Sequence, residues 1–70
     1  MSATRILQFN NELLREILHT REDFIEILAV IDDYESYCRD HKEYKNNRAV
    51  CAIENIKRVY MERLQKHDFL

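Results

Sequence analysis

The chain contains neither glycine nor proline. At ordinary usage, 70 residues would hold about five of the first and three or four of the second. Glycine supplies the left-handed backbone that tight hairpins and helix C-caps use, and proline stiffens turns. A β-meander is therefore disfavoured, whereas helices joined by asparagine-containing breaks remain accessible. The expected fold class is all-α.

The helical signal is strongest from Arg21 to Cys38. At 100° per residue, Phe24, Ile27, Leu28, Ile31, Tyr34 and Cys38 share one side of a wheel. Val30, Tyr37, His41 and Tyr44 widen that side to roughly 200°, well beyond the stripe of about 100° that one docking surface needs. A helix so apolar requires more than one neighbour. Leu28 and Ile31 lie near the middle of the arc and are expected in the core. Glu35 falls inside the arc, as a salt bridge or a wet seam would require.

Before this helix, Ile6, Leu13, Leu14, Ile17 and Leu18 form a stripe, with Leu7 beside it and Phe9 on its flank. Ser2 or Thr4 can cap the segment, and Asn10 points toward the stripe as a buried polar residue would. Thr20-Arg21-Glu22-Asp23 has the spacing of a capping box, which starts a second helix. Carried through without a break, the two stripes merge by the slow drift a left-handed supercoil accommodates, so one long helix is the alternative. Lys45-Asn46-Asn47-Arg48 is the clearest break, since asparagine tolerates left-handed backbone and caps helices well. Beyond it, Ala49, Ile53, Ile56, Tyr60 and Leu64 line one face, with Ala52 and Val59 beside them. Small Ala49 and Ala52 would let this last helix approach the central one closely.

The expected architecture is a single domain over 1–70, an antiparallel three-helix bundle with helices at about 3–18, 21–45 and 48–67. The alternative is a long-helix hairpin that pairs with a second copy into a four-helix bundle. The apolar pattern runs nearly to Leu70, so the chain could be the N-terminal module of a larger protein.

A core this small yields only about 3–5 kcal/mol unaided, a shortfall that disulfides, metals or oligomerisation usually make up. Two cysteines do not make a disulfide framework, and no leader-like segment precedes them, so an intracellular setting is expected. No apolar run reaches the length of about 20 residues that spans a bilayer. Cys38 is expected to be buried and Cys51 more exposed. Net charge is −2, unevenly placed. Residues 1–35 hold three bases and eight acids, and residues 36–70 hold eight bases and five acids. Opposite signs in the two halves fit antiparallel packing, within one chain or across a dimer.

No catalytic or metal-binding pattern of any specificity is present. Glu16-x-x-His19 has the spacing of one half of a di-iron bundle site, but the second half and the further carboxylates are missing. Cys38-x-x-His41 with distant Cys51 falls short of a four-ligand zinc site. An activated nucleophile needs an oriented base and an oxyanion site, and none can be traced. No enzyme activity, cofactor or metal is expected.

Tyr34, Tyr37, His41 and Tyr44 form a ladder along one edge of the central helix, which Tyr60 could meet from the last one. Aromatic side chains with polar tips suit half-wet interfaces. With exposed Met61, these residues make the candidate partner-binding edge. The function expected is a non-catalytic module for protein–protein interaction or oligomerisation, with a protein partner or a second copy as in a homodimer. The competing class is a small nucleic-acid-binding regulator using the basic C-terminal half, although Lys42, Lys45, Arg48, Lys57, Arg58, Arg63 and Lys66 are interleaved with acids.

Overall fold

Three helices account for most of the chain: α1 over Thr4–Leu14, α2 over Arg21–Asp40 and α3 over Asn47–Lys66. A single 3-10 turn, Lys42–Tyr44, joins α2 to α3. The computed structural model describes residues 2–70, and no strand occurs among them. The fold is the all-α antiparallel three-helix bundle, and the single long helix over 3–45 does not form.

α1 stops four residues short of the expected boundary. Ile17 N–H donates to Glu12 O at 2.9 Å and Glu16 N–H to Leu13 O at 3.0 Å, with Glu16 at φ 62°. This is a Schellman closure with glutamate in the left-handed position that glycine usually fills. The stop has a cause downstream. Thr20 must be extended (ψ 165°) for its hydroxyl to accept Asp23 N–H, while Asp23 Oδ2 accepts Thr20 N–H. That reciprocal box starts α2 with Glu22 and Asp23 in the positive field of its first turn. Helical dihedrals cannot run through it.

α2 ends at Asp40, five residues before the expected 45. Tyr37 O accepts both the backbone N–H of His41 (2.9 Å) and its ring Nδ1 (3.2 Å). His41 leaves helical space at φ −134°, ψ 71°. Asn46 then caps α3, its Oδ1 accepting Ala49 N–H at 2.8 Å. Asn46 is itself extended, and among the described residues the left-handed ones are Glu16 and His67. The asparagine contributes here as an N-cap acceptor, not as a left-handed closure. For α1, Ser2 Oγ accepts Thr4 N–H, although the residue before the helix is Ala3.

The core takes Phe24, Ile27, Ile31, Tyr34 and Cys38 from α2, Ala49, Ala52, Ile53 and Ile56 from α3, and Ile6 and Phe9 from α1. Two expectations need correction. Leu28 is only half-buried, because the axis of the arc falls on Ile27 and Ile31. In α1 the buried residues are Ile6 and Phe9, whereas Leu14, Ile17 and Leu18 are exposed, the last two lying beyond the helix end. Asn10 does sit at a seam: Asn55 Nδ2 donates to its Oδ1 at 2.7 Å and fixes α1 level with α3. The small residues Ala49 and Ala52 are buried, but α3 approaches α1 more closely along its length than it approaches α2. Between α2 and α3 runs a wetter seam, crossed by the exposed Lys57–Glu35 pair at 3.4 Å.

Candidate interaction surface

The tyrosine ladder exists as a stack at the C-terminal end of α2. The Tyr37 and His41 rings lie face to face, centroids 4.2 Å apart and 12° from parallel. Tyr44 meets Tyr37 edge-on at 5.3 Å. Tyr34 is buried, and its hydroxyl donates to Tyr44 O at 3.3 Å, tying the 3-10 turn back to α2. Burial raises the Tyr34 hydroxyl above its ordinary pKa, and the same cause, ahead of neighbouring Tyr44, raises Tyr37. Tyr37 and His41 are half-buried, and Tyr44 is exposed. Most of the ladder closes the end of the bundle, and Tyr44 is the one member that stands in solvent.

Tyr60 does not meet it. It packs against Phe24 at 5.8 Å and Phe69 at 5.7 Å. Phe24 lies 13 residues from Tyr37 on α2, about 20 Å along the helix axis. Tyr60 belongs to a second aromatic cluster, centred on Phe24 and including one residue, His19, that periodicity alone does not find. His19 stacks on Phe9 at 4.2 Å and meets Phe24 edge-on at 6.3 Å. It immediately precedes the capping box, and Phe24 is the fourth helical residue, so the two rings occupy the hydrophobic-staple positions. That spacing was the available signal. His19 Nδ1 is 3.3 Å from Asp23 Oδ2. Its Nε2 lies 3.0 Å from Glu12 Oε1 but off the hydrogen-bond direction, an ion-pair distance without a directed bond. Asp23 is held below the usual carboxylate pKa, first by the Thr20 backbone N–H and then by His19. The tail closes over this corner, with Leu70 N–H donating to His19 O at 3.4 Å and the Phe69 ring 5.6 Å from Phe24.

The metal-like spacings are scattered by this geometry. Glu16 sits in its left-handed turn, while His19 lies between α1 and α2 with Glu12 and Asp23 as its partners. Cys38 is buried, His41 is stacked on Tyr37, and Cys51 is exposed on α3. Among the described residues no group of three or more His, Cys, Asp or Glu side chains is placed to hold a metal ion.

What the fold leaves uncovered lies elsewhere. Leu14, Ile17 and Leu18 are 68 %, 40 % and 56 % exposed. They flank a groove of about 640 Å³ between the end of α1 and the C-terminal half of α3, where Leu13 and Val59 are half-buried. Arg58, Arg63 and Lys66 line it together with Glu16, Glu62 and Asp68. On the α2/α3 side, a cleft of about 780 Å³ carries Arg39, Lys42, Lys45 and Lys57 against Glu35 and Glu54. Of those four cations, only Lys57 lies within ion-pair distance of a carboxylate among the described residues. Met61 and Ile25 are also exposed, as their positions off the apolar stripes imply.

No described helix is long and apolar enough to cross a membrane. No family model matches the chain, and neither a curated protein nor a solved structure shows significant similarity to it.

Proposed function

We propose that this chain is a non-catalytic protein-interaction module that self-associates, most simply as a homodimer. The observation that carries the reading is the cluster of Leu14, Ile17 and Leu18, three large apolar side chains left in water within five residues. Scattered exposed apolar residues are ordinary, whereas contiguous ones beside a groove mark an interaction surface. The wide apolar arc of α2 is largely covered within the chain, so the surplus surface has moved from the central helix to the turn that precedes it.

Fully burying one such side chain contributes about 1.5–3 kcal/mol. Three per copy, counted on both copies and scaled for partial exposure, supply roughly 5–10 kcal/mol gross. Association costs at least about 4 kcal/mol in lost freedom. The surplus is at most about 6 kcal/mol, so the dimer is expected to be weak, with a dissociation constant no tighter than roughly tens of micromolar.

Sedimentation velocity of the purified chain across a concentration series tests the reading. A mass that rises from monomer toward dimer supports it, and a monomer throughout would assign the patch to a different protein. A second reading, a nucleic-acid-binding regulator, draws on Arg39, Lys42 and Lys45, which have no carboxylate within ion-pair distance among the described residues. Duplex titration separates the two, because phosphate-driven binding weakens steeply as salt rises.

A further inference from the structure

We infer that the dimer interface is the groove between the end of α1 and α3, with residues 14–18 of each copy seated in the groove of the other. This rests on the self-association reading and goes beyond it by naming the surface and its occupant. A twofold contact must be self-complementary, so one patch has to carry both the projection and the recess that receives it. This groove does: Leu14 and Leu18 stand out at its edge, and half-buried Leu13 and Val59 line it.

Charge selects the same surface and the same occupant. Three cations and three carboxylates line the groove, so two copies meet without net repulsion. The α2/α3 cleft carries four cations against two carboxylates and would repel its own image. Within the groove most charges are already paired, Arg58 with Glu62 at 2.8 Å and Arg63 with Asp68 at 3.5 Å. One acid, Glu16, and one base, Lys66, are left without an ion-pair partner among the described residues. A twofold axis brings Glu16 of one copy to Lys66 of the other, twice. A foreign partner would have to reproduce that one-to-one remainder, and a second copy supplies it by symmetry.

The test compares substitutions on the two surfaces by sedimentation equilibrium, with melting at low protein concentration as the control for folding. Leu14→Glu and Leu18→Glu should each raise the dimer dissociation constant at least about tenfold. Their monomer melting temperatures should stay close to that of the wild type, since both side chains are already in water. Lys66→Glu should weaken the dimer, and adding Glu16→Lys should restore it. Ile25→Glu and Lys42→Glu, on α2 and the 3-10 turn, should leave it unchanged. If the wild type dimerises, and Ile25→Glu or Lys42→Glu dissociates it while Leu18→Glu does not, the interface inference is overturned and self-association stands. If the wild type is monomeric at every concentration, both fall.

Discussion

Glu16 occupies left-handed backbone at φ 62°, where a residue with a Cβ pays roughly 1–2 kcal/mol. Glycine would relieve that strain and lose part of the gain through its freer unfolded chain. Glu16→Gly is therefore expected to stabilise the monomer by about 0.5–1 kcal/mol, read as a rise of a few degrees in melting temperature. No change would mean that the turn is held without strain. At the next cap, Asp23 has its pKa lowered from 3.8, chiefly by the Thr20 N–H it accepts. A depressed carboxylate contributes stability above its unfolded pKa and loses it as pH falls through the folded one. The melting temperature should drop as pH goes below 3.8, and Asp23→Asn should flatten that part of the profile. An unchanged profile would place the acid sensitivity on other carboxylates. The Thr20–Asp23 box was legible because Ser/Thr-x-x-acid states its own geometry. Glu16 was not, since nothing in a glutamate marks a left-handed residue.

Helix existence was readable from periodicity, whereas helix ends depended on tertiary detail. The stripe of Leu13, Leu14, Ile17 and Leu18 continues at helical spacing past the point where the Schellman turn stops α1. The stripe of α2 continues through Tyr44, although the helix ends at Asp40, where His41 leaves helical space and its ring bonds Tyr37 O. A wheel records which residues are apolar. It does not record which carbonyl a side chain will take. The same limit applies to the arc of α2: its axis fell on Ile27 and Ile31 and left Leu28 half-buried, while His41 and Tyr44, two of the residues that widened it, lie beyond the helix end. Ile31 is fully buried, so Ile31→Ala should cost about 2–5 kcal/mol, comparable to the entire stability of so short a chain. Leu28→Ala should cost clearly less, measured by urea unfolding of both variants. Equal losses would show that Leu28 belongs to the core after all. Tyr60 was separable from the Tyr37 ladder only in three dimensions, since both sit on apolar helix faces but at opposite ends of the bundle.

For the whole molecule, the charge asymmetry of the sequence is largely unspent inside the chain. Only Lys57–Glu35 links the basic helix α3 to the acidic helix α2, and the remaining pairs are local or join His19 to its neighbours. Packing of one half on the other therefore does not explain the asymmetry, and the leftover charges remain available between molecules. Leftover apolar surface accompanies them at Leu14, Ile17 and Leu18, on a chain with two unbonded cysteines. Such surface was foreseeable in amount, because 70 residues close little volume, but its location followed from where α1 stops. In the proposed dimer a second copy covers this surface and so stabilises the fold. Binding to the native state alone raises apparent stability by mass action. The decisive measurement is the melting temperature of the chain over a hundredfold range of protein concentration. A steady rise with concentration, abolished by Leu18→Glu, is expected; a melting temperature independent of concentration would contradict the dimer.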